Sequence, residues 1–157
     1  IVAASTDTRL TGLVMGTNDL AKEYNAVPTP DRSAFMYSLS AALVAARAYR
    51  LSAIDGVYND INNDTGLAAE CEQGRVLGFD GKTLIHPAQI ETANRVFSPS
   101  EDELGHAKEV IEAFALPANK GKGVISLNGQ MVELLHLVQA ERLVALDDAI
   151  RQLDVRS

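Results

Sequence analysis

The feature that most constrains this chain is the alternation of short apolar runs with longer amphipathic ones. Residues 10–16, 52–58 and 82–85 read as strands, and each is followed by polar or turn-forming residues and then a helical pattern. The first helical stretch lies beyond a linker holding Val27-Pro28-Thr29-Pro30-Asp31. It covers residues 31–50, rich in Ala and Leu, with Pro30-Asp31 as its start signal. A helix over 65–77 follows the second strand and is stopped by Gly78. Helices over 88–96 and 99–115 follow the third. Such alternation predicts parallel strands joined by right-handed crossovers. Three parallel strands cannot close a barrel, and an open sheet of near-continuous apolar strands would leave bare edges. Together with a first residue that is Ile1 rather than Met, this predicts an α/β fold forming the carboxy-terminal portion of a (β/α)8 barrel, whose usual size is about 250 residues.

Beyond Pro117 the pattern changes. Gly121-Lys122-Gly123 leads into the apolar run 124–127, then Asn128-Gly129, then 130–132. Asn-Gly between apolar flanks predicts a β-hairpin. A last helix is expected over 133–153, with Leu134, Val138, Leu143, Leu146 and Ile150 on one broad apolar side. The expected organisation is therefore a barrel portion over 1–116 and an appended hairpin-plus-helix tail over 117–157.

Composition excludes several classes of function. The 157 residues carry a net charge of −7, which argues against a nucleic-acid partner. No apolar stretch is long enough to span a bilayer. Ile1-Val2-Ala3-Ala4 has no preceding basic segment and does not resemble a signal peptide. The expected location is the cytoplasm. The single cysteine, Cys71, excludes an internal disulfide and a cysteine-based zinc site, and its helical neighbours predict a packed thiol.

The candidate site residues are mostly acids at strand ends. Asp19, in Gly16-Thr17-Asn18-Asp19-Leu20, follows the first strand directly. At the carboxyl end of a parallel strand it can be a metal or catalytic carboxylate, or Asn18 or Asp19 can cap the following helix. One carboxylate does not complete a Mg²⁺ shell, which needs further oxygens. Asp55 interrupts the second strand, so it is either paired internally or a site residue, with substrate binding as its candidate role. Asp60 and Asp64 read as solvated turn residues. His86 ends the third strand as a possible base, or as a loop acceptor that starts the next helix. His106 and His136 fall on helices without evident ligand partners. Gly121-Lys122-Gly123 lacks phosphate-loop spacing. Glu133 suits a first helical turn.

Read together, these segments resemble the citrate lyase β-subunit family, also called the HpcH/HpaI aldolase superfamily. The run Ala53-Ile54-Asp55-Gly56-Val57-Tyr58-Asn59-Asp60 is similar to its penultimate-strand signature. Gly78-Phe79-Asp80-Gly81-Lys82 with Ile85-His86-Pro87-Ala88-Gln89-Ile90 resembles its last-strand signature. Phe97-Ser98-Pro99-Ser100 and Gly129-Gln130-Met131-Val132 also match. The resemblance runs along nearly the whole chain. It implies a Mg²⁺-dependent enzyme acting on acyl-CoA thioesters such as malyl-CoA or citryl-CoA, with carbon–carbon cleavage to an acyl-CoA and a 2-oxo acid. Asp19 matches the family's Mg²⁺-binding aspartate. The resemblance places the family's partner glutamate and substrate-binding arginine in the amino-terminal half of the barrel, and neither is assigned to a residue of this sequence.

In the lyases an aspartate in the tail, within a pattern like Gly-x-Met-Val-Asp-x-Pro, supplies acid/base chemistry across a subunit interface. Glu133 occupies that position here and Leu135 the proline position. A carboxylate longer by one methylene changes the near-attack geometry, and the substitution resembles relatives that hydrolyse malyl-CoA. The resemblance thus ranks a lyase first and a malyl-CoA-type thioesterase second. A non-catalytic acyl-CoA-binding or assembly subunit is the reading from another class. The family resemblance also implies a homo-oligomer, trimeric or hexameric.

Overall fold

The structure, a computed structural model, describes residues 9–154; Ile1–Ala4, read above for a leader, lie outside them. The chain divides into two compact units between Phe97 and Ser98.

The first unit carries a parallel sheet in the order β1–β2–β3: β1 is Gly12–Val14, β2 Ser52–Asp55 and β3 Gly81–Lys82. Leu13 pairs with Ala53 and Val14 with Ile54; Ile54 also pairs with Gly81, and Asp55 with Lys82. The strands are shorter than the apolar runs that announced them. β2 stops at Asp55 because the next residue, Gly56, lies hard against the β1 exit. A Cβ on Gly56 would fall 2.5 Å from Thr17 Oγ1 and 3.0 Å from the Met15 carbonyl oxygen.

The connections between strands are helical. α1 (Thr17–Tyr24) follows β1, and α2 (Met36–Ala48) leads into β2. α3 (Asp64–Leu77) joins β2 to β3, and α4 (Ile90–Phe97) closes the unit. The expected helix over 31–50 starts late because Arg32 adopts a left-handed backbone (φ 54°, ψ 28°), followed by a 3-10 turn at Ser33–Phe35. Gly78 ends α3 as expected, with φ 107° and its amide bonded to the Gly74 and Arg75 carbonyls. Asn63 caps the start of α3 by accepting from the Gly66 amide.

Strand alternation sorts the two faces of this sheet. Ala53 joins Phe35, Leu39, Leu43, Ala46, Leu51 and Phe79 in the core against α2, with Leu13 packed beside them. Val14, on the opposite face, is 65% exposed. A second cluster, Leu67, Cys71 and Ala93, holds α3 to α4. The result is a mixed α/β unit with parallel strands; closure into a barrel is not a property of the described sheet.

The second unit pairs α5 (Glu101–Ala115) with α6 (Leu134–Asp154) over a hairpin of β4 (Val124–Leu127) and β5 (Gln130–Glu133). Ser100 and Glu103 form a reciprocal capping box at the start of α5. Asn128 and Gly129 both have positive φ (52° and 80°), the turn that Asn-Gly announces. Glu133 is the last residue of β5, pairing with Val124, rather than the first of α6. The packed side of α6 agrees with the expected one at Leu143 and departs from it elsewhere. Leu137, Ala140, Leu143 and Val144 meet Ala107, Val110 and Ala113, whereas Leu134, Val138 and Leu146 are exposed. An apolar stripe wider than the contact leaves open which of its flanks meets α5, and Ala140 and Leu137 lie on the flank that does.

Candidate functional site

The carboxyl ends of β1 and β2 converge where Thr17, at the first position of α1, lies buried beneath Gly56. Above this contact, Asn18 and Asn59 exchange two amide hydrogen bonds. Asn18 Nδ2 donates to Asn59 Oδ1 at 3.1 Å, and Asn59 Nδ2 donates to Asn18 Oδ1 at 2.8 Å. Asp19 is the next residue, in the first turn of α1. The N-cap is Gly16 without a side-chain cap, and Asp19 has neither a hydrogen bond nor an ion pair among the described residues. Asn18 is engaged with Asn59, so neither residue plays the capping role left open by the sequence. Asp19 is an exposed carboxylate facing solvent at a strand exit.

Asp55 is placed quite differently. It lies on the helix-facing side of β2, fully buried, and its oxygens are occupied. Arg32 Nη1 donates to both at 2.7 Å, the Gly56 amide donates to Oδ1 at 2.8 Å, and Lys82 Nζ lies 3.3 Å from Oδ2. Lys82 Nζ also reaches Glu70 Oε1 at 2.5 Å. Arg32 Nε donates to Gln73 Oε1 at 2.6 Å, and Gln73 returns a bond to the Asp31 carbonyl at 2.8 Å. Two cations and two carboxylates thus form a charge-balanced buried cluster, with Arg32 Nη2 buried and unbonded. The cluster ties the linker before α2, the body of α3 and strands β2 and β3 together. Of the alternatives for Asp55, internal pairing is the arrangement present in this structure. Cys71, buried nearby, has its thiol pushed up by burial, with the Lys82 charge opposing the shift, which suits a packed thiol.

The remaining candidates fall into place around these features. His86 Nδ1 accepts from the Ala88 amide at 3.2 Å and starts the 3-10 turn Pro87–Gln89, the loop-acceptor role. Asp60 accepts from the Asn62 amide, and Asp64 accepts from the Thr92 hydroxyl at 2.5 Å. Both line a cavity of about 320 Å³ at the β2 and β3 exits, together with Asn63, Gln89, Glu91 and Arg95. Burial, then the Asp60 and Glu70 charges, raises the pKa of Tyr58 in the same exit loop.

In the second unit Glu133 is half-buried, and its amide donates to His136 Nδ1 at 2.9 Å. His136 and His106 share a groove of about 270 Å³ between α5 and α6 with Ala107, Val110, Ala140 and Leu143. Sequence reasoning placed both histidines on helices but not in one groove, because only the α5–α6 packing brings them together.

Arg32, Lys82, Glu70 and the Asn18–Asn59 pair were not anticipated. Their partners lie far apart in sequence, 23 residues for Arg32 to Asp55 and 41 for Asn18 to Asn59, and no local pattern marks such pairings. Among the described residues no group of three or more His, Cys, Asp or Glu is arranged to hold a metal ion. Asp19 presents exposed carboxylate oxygens at the β1 exit, with no hydrogen bond or ion pair among the described residues. Mg²⁺ accepts one or two protein carboxylates and completes its octahedron with water and substrate oxygens.

These features describe an α/β protein with a carboxylate poised at the exit of a parallel strand. The HpcH/HpaI aldolase/citrate lyase family model matches residues 1–87, and the chain belongs to that family. It is 54% identical over 142 residues to a (3S)-malyl-CoA thioesterase of Cereibacter sphaeroides, covering 90% of this chain and 50% of the relative. It is 36% identical over 151 residues to citrate lyase subunit beta of Leuconostoc mesenteroides subsp. cremoris, covering 96% and 50%. The protein CitE of Mycobacterium tuberculosis, solved with magnesium, acetoacetate and coenzyme A, superposes with a TM-score of 0.74 at 28% identity, over 88% of this chain and 52% of CitE. The chain therefore spans about half the length of these relatives, whose family members are enzymes.

Proposed function

We propose that this chain forms the carboxy-terminal half of a (β/α)8 enzyme that hydrolyses a malyl-CoA-type thioester with Mg²⁺. The single observation that carries the reading is the 54% identity to a malyl-CoA thioesterase, against 36% to a citrate lyase subunit. That difference reverses the order reached from the sequence, where carbon–carbon cleavage came first. Three parallel strands in sequential order, with Val14 exposed on the face away from the helices, support the half-barrel assignment.

Asp19 would hold the cation, which when bound polarises the substrate oxygens it ligates. The Asn18–Asn59 pair beside it is neutral, and Asp19 has no hydrogen bond or ion pair among the described residues, which leaves its oxygens available to ligate. Glu133 is the candidate acid/base residue, supplied across a subunit boundary as the family resemblance implies. As a base it takes a proton from water while the water oxygen bonds to the thioester carbon. The carbon–sulfur bond then breaks, and the departing CoA sulfur receives that proton. Asp55, a candidate substrate ligand in the sequence, would act at most through the loop it anchors at Gly56. A homo-oligomeric state and a cytoplasmic location belong to the same proposal. No helix among the described residues is long and apolar enough to cross a membrane.

Lyase activity remains the second reading, favoured by the citrate lyase β-subunit relatives and by the carboxylate retained at Glu133. Product analysis separates the two. The complete natural protein is incubated with malyl-CoA and Mg²⁺, and free CoA and malate are measured beside acetyl-CoA and glyoxylate. Stoichiometric CoA and malate are expected; acetyl-CoA and glyoxylate as the main products would refute hydrolysis as the primary reaction.

A further inference from the structure

The loop pairing around Asp19 is built more firmly than an exposed turn needs. Thr17 is buried against Gly56, which has no room for a side chain, and β1 continues its pairing through the Met15 amide to the Ile54 carbonyl at 2.9 Å. On top of this contact the Asn18 and Asn59 side chains bind each other in both directions, each using one donor and one acceptor. The α1 turn carrying Asp19 has no side-chain cap at its start. Its N-cap is Gly16, and Asp19 itself bonds to nothing among the described residues. Beside the Thr17–Gly56 packing, the amide pair is therefore the hydrogen-bonded side-chain tie between the Asp19 turn and the neighbouring strand exit.

Resting on the assignment of Asp19 as the cation ligand, we infer that Asn18 and Asn59 are positioning residues that hold the Asp19 turn in its cation-binding place. The physical argument is preorganisation. A carboxylate on a turn that must be ordered at the moment of binding loses affinity by the cost of ordering it. A turn already tied to its neighbour does not. Asparagine suits the task, because its amide supplies both donor and acceptor without adding a charge that would compete with Asp19 for the cation or repel it. The tie is mutual, so removing either partner removes both bonds.

The test is Mn²⁺ binding to the complete natural protein, stripped of metal and followed by the electron paramagnetic resonance of free Mn²⁺. It compares wild type, Asn18→Ala, Asn59→Ala, the double variant and Asp19→Asn. Thermal unfolding is recorded beside it, so that loss of fold is recognised separately from loss of affinity. Each single asparagine variant is expected to weaken Mn²⁺ binding between about 3-fold and 30-fold, the range that one or two modest hydrogen bonds allow. The double variant should bind no more weakly than the worse single, because the two side chains act as one unit. Turnover of malyl-CoA should recover at saturating metal. Wild-type affinity in both single variants, or losses that simply multiply in the double, would overturn the positioning role while Asp19→Asn still fails to bind. Unchanged binding by Asp19→Asn would instead overturn the metal assignment beneath it.

Discussion

Replacing Asp55 by asparagine keeps the shape of the side chain and removes its charge from the buried cluster. The magnitude follows from the surroundings. Asp55 has no exposed surface, the Lys82 side chain none and Arg32 about 3%. With Asp55 neutral, Arg32 and Lys82 share only Glu70, and one positive charge is left uncompensated inside the protein. The new amide can also turn an N–H toward a cation where an acceptor stood. Removing one partner of a buried pair costs about 3–5 kcal/mol, a large part of the roughly 5–15 kcal/mol that holds a domain folded. With a urea dependence of about 2 kcal/mol per molar, the midpoint should fall by about 2 M. Urea titration of the complete natural protein, followed by far-ultraviolet circular dichroism, measures this directly. Adding Lys82→Met to Asp55→Asn restores neutrality around Arg32 and Glu70 and should recover much of the loss. As a control, Arg151→Ala breaks the ion pair to Asp147, whose guanidinium side is 68% exposed, and should leave the midpoint in place. A midpoint for Asp55→Asn within about 0.5 M of wild type would refute the view that this cluster is a buried, mutually dependent unit.

Other perturbations read the same structure elsewhere. Gly56→Ala places a methyl within 2.5 Å of Thr17 Oγ1 and 3.0 Å of a backbone oxygen. It should cost about 1–3 kcal/mol by chemical denaturation, with Thr17→Ala relieving only part, since the Met15 carbonyl cannot retreat as a side chain can. Ser100→Ala breaks the capping box of α5 and should cost about 0.5–2 kcal/mol in the same assay. Burial raises the Cys71 pKa, so the thiolate is scarcer than in an exposed cysteine at any pH below that raised value. Native protein should therefore resist alkylation at pH 8 while urea-unfolded protein reacts promptly, as mass spectrometry of iodoacetamide-treated samples would record.

The parts of the fold that could be read from the sequence are those set by neighbouring residues. Gly78 ends its helix because the left-handed cap is cheap only for glycine, and Asn128-Gly129 turns the hairpin for the same kind of reason. Strand lengths were harder to foresee, since apolar residues continue past Asp55 although the chain leaves the sheet there. Arg32 could not be foreseen as the cation that buries Asp55. Its left-handed backbone and its reach into α3 and β2 come from tertiary packing that overrides the helix pattern of 31–50. The side of α6 that packs was misjudged because an apolar stripe does not say which of its flanks meets α5. Asp19 was legible as a strand-end acid; the amide pair beside it was not, because its two halves belong to different loops.

The central claim, that Asp19 binds the cation of a malyl-CoA-hydrolysing site, is tested most directly by titrating Mg²⁺ into metal-free protein while following CoA release from malyl-CoA, for wild type and Asp19→Asn. Saturable Mg²⁺ activation in wild type, and its loss in Asp19→Asn with the fold intact, is the predicted result. Full turnover by the variant, or equal turnover with and without Mg²⁺, would contradict it.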